Sequence, residues 1–99
     1  MYLGIDIGGT NIHFALVDRK GEIINEKSVP TAKKVEKVLQ LLVTEIKNFL
    51  PYRIKGVGIA VAGLVNQKKG ILYFSPNLSW KNVYLIQRIS KYLPNLKMV

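Results

Sequence analysis

The apolar residues of this chain fall into short runs separated by glycine- and proline-centred breaks, and the period of the runs changes along the sequence. Tyr2 to Ile7 is an apolar run of β-branched and aromatic type, and Ile12 to Val17 is a second. Only Gly8-Gly9-Thr10-Asn11 separates them, so the two runs are expected to pair as a hairpin. Asp18-Arg19-Lys20-Gly21 marks another turn. Residues 22–29 alternate polar and apolar in part, which predicts a third strand suited to a sheet edge and closed by Pro30. From Thr31, a candidate helix cap, the period lengthens. Val35, Val38, Leu39, Leu42, Ile46, Phe49 and Leu50 recur in steps of three and four, predicting a helix that Pro51 ends. Residues 54–61 predict a fourth strand containing Gly56 and Gly58, and glycine inside a strand points to close approach by another backbone or a ligand. A turn over 66–70, a short strand over 71–74, a loop over 75–80 and a helix over 82–93 follow, with Pro94 as the stop. A fifth main strand is expected to start near Leu96.

The fold class this predicts is α/β, in the order β-β-β-α-β, a small hairpin, then α-β. Three antiparallel strands lead through a right-handed crossover into a parallel strand. The last strand has barely begun at Val99, so the expectation is an incomplete domain whose fifth main strand is cut short.

Composition narrows the classes open to such a chain. Its 99 residues suit one domain with a modest core, and 48% apolar content in patterned runs argues for a globular chain rather than a disordered one. With no cysteine, disulfides and thiolate metal sites are excluded. No basic leader precedes the first apolar run, and no apolar stretch reaches the ~20 residues of a membrane span, so a cytoplasmic location away from membranes is expected. Fifteen basic residues against six acidic ones give +9. The excess is mostly lysine, spread over turns and helix faces at Arg19-Lys20, Lys33-Lys34-Lys37 and Lys68-Lys69. Nothing gathers these groups into the ~6–10 phosphate contacts of strong duplex binding, so a solubilising surface is preferred to a nucleic-acid partner.

The chemistry concentrates in the first turn. Asp6 closes an apolar strand, where an ionised carboxylate calls for a partner. Gly8 and Gly9 admit backbone conformations closed to other residues and bring N–H groups close to phosphate oxygens. Thr10 and Asn11 add a hydroxyl and an amide, and Asp6 at the strand end suits Mg²⁺ held through water. A bare Gly-Gly reads as an ordinary hairpin turn. An Asp two residues ahead of the pair and a Thr directly after it turn the reading towards phosphate. No Gly-Lys-Ser/Thr follows, so the turn is not a Walker loop. Gly56-Val-Gly58 has Val61 where a dinucleotide fingerprint needs its third glycine.

Asp6-Ile-Gly-Gly-Thr-Asn11, then Gly56-Val-Gly-Ile-Ala-Val-Ala-Gly63, then Asn77-Leu-Ser-Trp80 resemble, in order and spacing and over essentially the whole chain, the start of a ROK-family sugar kinase. The first motif is shared by a wider superfamily, whereas the second and third together point to this family. The resemblance implies an actin-like, ribonuclease-H-like ATPase fold, ATP and Mg²⁺ as cofactors, a hexose substrate and a homodimeric intact protein. It places Asp6, Gly8, Gly9, Thr10 and Asn11 at the β- and γ-phosphates, with Asp6 towards Mg²⁺. It places Gly63, Asn77 and Trp80 at the sugar end of the cleft. Ala62 stands where the family has proline, Ser79 where it has Pro-Gly, and Asn11 where lysine is common. The family's catalytic base, an Asp in an Asn-Asp-Ala-Asn motif, is expected beyond Val99, together with the second lobe, the adenine pocket and the zinc site. The isolated chain is therefore expected to be the inactive N-terminal lobe of a glucokinase-like enzyme.

Two alternatives remain at this point. One is a sugar-sensing repressor of the same family, which carries a helix-turn-helix before the first strand; with that strand at Tyr2, no such domain is expected. The other is a nucleotide-binding module of another actin-like ATPase. Among the remaining residues, His13 reads as a strand residue with a solvated ring, and Trp80 fits either stacking on a sugar or anchoring its loop.

Overall fold

The computed structural model describes residues 1–99. Strands β1 (Tyr2–Ile7), β2 (Asn11–Val17) and β3 (Ile23–Pro30) run antiparallel in sequence, and β4 (Gly56–Val61) joins β1 in parallel. A two-residue strand, Lys97–Met98, continues the sheet beyond β4 in parallel, giving the order β3-β2-β1-β4 and then this last strand. The parallel crossover is made by helix α1 (Val35–Phe49), as the change of period predicted.

Side-chain alternation divides the sheet sharply. Leu3, Ile5 and Ile7 of β1 and Ile12, Phe14 and Leu16 of β2 are all buried against Val38, Leu42, Ile46 and Phe49 of α1. Every one of these is a large aliphatic or aromatic group removed from water, worth about 1.5–3 kcal/mol of transfer free energy each before entropy is charged. The opposite face carries Gly4, Asp6, His13, Ala15, Gly58 and Ala60, and Leu85 and Ile86 at the start of the second helix line the cavity over it. One sheet face is therefore core, and the other, carried by mostly small residues, is the floor of a cavity.

β3 is an edge strand exposed along nearly its whole length, as its weak alternation suggested. It is fixed to α1 by one buried charge. Glu45 is buried, and its Oε1 accepts from Lys27 Nζ and from Asn48 Nδ2, both at 3.0 Å. Oε2 lies 2.7 Å from the same ammonium as an ion pair, without the angle of a hydrogen bond. Lys27→Met should destabilise the chain by about 1–2 kcal/mol, read from a urea midpoint. Glu45 then keeps only Asn48, while the half-exposed position of Lys27 lets water recover part of the loss.

Three boundaries differ from the sequence expectation. Thr31 does not cap α1; the N-cap is Lys34, with no side-chain bond to the helix, because Thr31 is engaged elsewhere. The expected hairpin is a three-stranded sheet, β5 (Leu64–Asn66), β6 (Ile71–Ser75) and β7 (Trp80–Val83). The helix expected over 82–93 is shorter, α2 (Leu85–Ser90), because Asn82 and Val83 extend β7. Val83, Ile89 and Leu93 are nonetheless all buried, so the apolar spacing reported burial correctly and misassigned the conformation of its first residues. Arg88 of α2 donates to both carboxylate oxygens of Glu36 on α1, at 2.5 and 2.6 Å, and that hydrogen bond holds Glu36 below the usual carboxylate range.

Candidate functional site

The turn between β1 and β2 is built by a small set of bonds. The Gly8 amide donates to the Asn11 carbonyl at 3.0 Å, which closes the hairpin. Thr31, entering from the far end of β3, donates its hydroxyl to the Gly8 carbonyl at 2.8 Å and its amide to the Thr10 carbonyl at 2.9 Å. One residue remote in sequence thus engages the carbonyls of both Gly8 and Thr10. The amides of Gly9 and Thr10 lie outside the strands and donate to nothing in the protein. The Thr10 hydroxyl, the Asn11 amide and the Asp6 carboxylate likewise have no partner, and Asp6, Gly9, Thr10 and Asn11 are all exposed. Two free backbone donors, two free side-chain polar groups and a free carboxylate thus lie within six residues, a set of groups chemically suited to an anion accompanied by a cation.

This corrects the expected part of Gly8, whose amide is already engaged by Asn11. Neither Gly8 nor Gly9 uses the left-handed region that glycine was expected to supply. Space requires glycine at position 8, whereas position 9 is in ordinary contact with its neighbour. A Cβ at position 8 would sit 2.9 Å from the Asn11 carbonyl oxygen, and one at position 9 would sit 3.4 Å from the Asn77 carbonyl oxygen and 3.6 Å from its Cβ. The second contact seats Asn77 of the β6–β7 loop against the turn between β1 and β2.

The β6–β7 loop, Pro76–Ser79, is in turn shaped by Gly63. Gly63 has φ +150°, and a Cβ there would run into the Phe74 carbonyl and the Ser75 Cα. Trp80, expected either to meet a sugar or to anchor the loop, is 5% exposed and lies in the hydrophobic core. It anchors; its indole N–H, like the Ser75 hydroxyl across the β6–β7 pair, is buried without a protein partner. Asn77 and Gly63 are exposed beside it. Ser79 is left-handed, at φ 56°. Ser79→Gly should therefore stabilise the chain by about 0.5–1 kcal/mol, seen as a higher urea midpoint.

The small-residue sheet face is the floor of a cavity of about 610 Å³, with Gly4, Asp6, His13, Gly58 and Ala60 on the sheet side and the β5–β6 turn opposite. Gly58 has nothing within 4 Å of where a Cβ would stand, so its missing side chain leaves room over the sheet. Gly56, by contrast, faces a close backbone approach, with the Lys97 carbonyl oxygen 3.4 Å from a Cβ built there. Thr31 and His13 were not singled out for the site by the sequence. The first was masked by its place just before a helix. The second follows from the register that pairs Asp6 with His13.

A mixed sheet with three antiparallel strands, a helical crossover and a glycine turn after the first strand defines the actin-like, ribonuclease-H-like ATPase fold. The chain superimposes on a ROK family glucokinase from Streptomyces griseus in complex with glucose and AMPPNP, with a TM-score of 0.90 and 28% identity, over 99% of this chain and 31% of that one. A ROK family transcriptional regulator, a homologue of the Escherichia coli MLC protein, matches with a TM-score of 0.85 at 26% identity, over 98% of this chain and 26% of that one. The ROK family profile matches residues 2–95, and the chain belongs to the ROK family. It is 33% identical to a glucokinase of Streptomyces coelicolor over 88% of its length and 28% of that protein's. It is 35% identical to a xylose repressor of Caldicellulosiruptor bescii over 84% of its length and 23% of that protein's. The chain thus spans less than a third of the length of these two relatives. No helix is long and apolar enough to cross a membrane.

Proposed function

We propose that this chain is the phosphate-holding N-terminal lobe of an ATP-dependent hexose kinase of the glucokinase type. The observation that carries the reading is the turn at 8–11, where the free Gly9 and Thr10 amides stand beside the unpaired Asp6 carboxylate, with Asn77 packed on the turn. Gly9, Thr10 and Asn11 would take the β- and γ-phosphate oxygens. Asp6 fits Mg²⁺ through water, because it is exposed and no basic side chain neutralises it. Mg²⁺ bound with the nucleotide supplies charge neutralisation across the phosphates. Asn77 and Gly63 line the sugar end, and Trp80 supports the loop from beneath. Phosphoryl transfer depends on positioning and on a base for the attacking hydroxyl. None of the residues at this turn is placed as that base. Calorimetry should show ADP–Mg²⁺ binding to the chain, and a coupled assay with glucose and ATP should show no turnover. Absence of nucleotide binding would overturn the reading; glucose turnover would overturn the assignment of the base elsewhere.

A second reading, a sugar-sensing regulator, draws on the match to the xylose repressor, which is as strong in identity as the match to the glucokinase. It is disfavoured by the turn itself, which keeps its carboxylate and its free amides. A chain that bound xylose or glucose but no nucleotide would favour it.

A further inference from the structure

We infer that His13 is a protein ligand of the divalent ion at Asp6: with Co²⁺ the Asp6 carboxylate and the His13 imidazole both coordinate directly, whereas Mg²⁺ keeps water between itself and Asp6, so the pair favours Co²⁺ over Mg²⁺; this rests on the phosphate reading above. The two residues are directly opposed across the β1–β2 ladder, Asp6 against His13. Directly opposed residues on antiparallel strands share one sheet face, with Cβ atoms about 4.5–5.5 Å apart. Oxygen and nitrogen ligands each stand about 2.0–2.2 Å from a small divalent ion, so their donor atoms are separated by roughly 3–4 Å, within reach of both side chains. Both side chains are exposed and line the same cavity.

The surroundings leave the pair uncommitted. Neither side chain makes a hydrogen bond or an ion pair; the chain's two salt bridges are Lys27–Glu45 and Arg88–Glu36. On the same row of the sheet, Asp6 is flanked by Ala60 and His13 by Ser28, so no lysine or arginine competes for the carboxylate there. Phosphate oxygens and waters would complete the shell. A purely oxygen shell suits Mg²⁺, whereas imidazole nitrogen raises affinity for the later first-row ions at the same octahedral geometry. A structural role for His13 is disfavoured because its side chain is exposed and the strand is buried through Ile12 and Phe14 on its other face.

The test measures ADP binding to the full 99-residue chain by calorimetry, with Co²⁺ and with Mg²⁺, together with the visible absorption of the cobalt complex. His13→Ala should weaken ADP–Co²⁺ by about tenfold or more, change ADP–Mg²⁺ by less than about twofold, and remove the nitrogen-ligand shift of the cobalt band. This chain has one histidine and no cysteine, so that band has no other imidazole or thiolate source. His13→Gln, which keeps the strand and a polar end, should behave as His13→Ala, and far-ultraviolet dichroism should show both folded. An equal loss with both ions would make His13 a phosphate donor and overturn the proposal, as would no loss with either. Asp6→Ala separates the two levels. If it abolishes binding while His13→Ala does nothing, only the ligand role of His13 fails; if Asp6→Ala also does nothing, the phosphate site itself fails.

Discussion

Asp6→Ala should reduce the affinity of the chain for ADP–Mg²⁺ by at least about tenfold while leaving its urea midpoint unchanged. A charge-assisted interaction contributes about 1.5–3 kcal/mol, and 1.4 kcal/mol is a factor of ten in binding. Stability should not move, because Asp6 is exposed and holds no other residue. An unpaired carboxylate at a strand end beside free amides contributes nothing to the fold that alanine would lose. Asp6→Asn should reproduce most of the loss, since it keeps shape and polarity and removes only the charge. Normal ADP–Mg²⁺ affinity in both variants would remove Asp6 from the site and leave the free amides of Gly9 and Thr10 as donors for a metal-free anion. In a longer protein carrying this chain, the same substitution should cut turnover rather than sugar affinity, because Asn77 and Gly63 do not depend on the carboxylate.

The main sheet was legible in the sequence because its alternation is strict where one face is buried. Leu3, Ile5 and Ile7, then Ile12, Phe14 and Leu16, are each separated by one residue, and only a strand places such a set on one side. The glycine turn was legible for a related reason: four residues between two strands leave few ways to connect them. Its inner wiring was not. Thr31 lies twenty-three positions from Gly8, and nothing local shows that its hydroxyl crosses to the Gly8 carbonyl instead of capping the helix beside it. The region from 75 to 93 misled for another reason. Val83, Ile86, Ile89 and Leu93 fit a helical stripe, yet Val83 is buried from a strand, since a single apolar position satisfies either period. The left-handed Ser79 and Asn82 in and after the loop could not be read from residue type, because neither is glycine.

The contact between Asn77 and Gly9 gives the site its coherence. The β6–β7 loop and the β1–β2 turn meet there: a Cβ at position 9 would lie 3.4 Å from the Asn77 carbonyl oxygen and 3.6 Å from its Cβ, at van der Waals distance. The two segments touch through packing, with no hydrogen bond between Gly9 and Asn77.

Gly63→Ala is expected to have the largest effect on stability, about 3 kcal/mol or more, read from the urea midpoint. Two penalties combine. Glycine-only backbone of this kind costs about 1–3 kcal/mol when occupied by another residue, and Gly63 has φ +150°. The added Cβ would also enter the Phe74 carbonyl and the Ser75 Cα, which are backbone and cannot rotate away. A chain of this size typically has only about 5–15 kcal/mol in total, so the loss should be visible even where the protein still folds. Gly58→Ala is the matched comparison: it lies in a neighbouring strand position, has no positive φ, and meets nothing within 4 Å. It should be neutral or slightly stabilising, because alanine restricts the unfolded chain more than glycine does. If Gly63→Ala were also neutral, β5 and β6 would be free to separate. The β6–β7 loop would then not be fixed from this side, and Asn77 would owe its place on Gly9 to Trp80 alone.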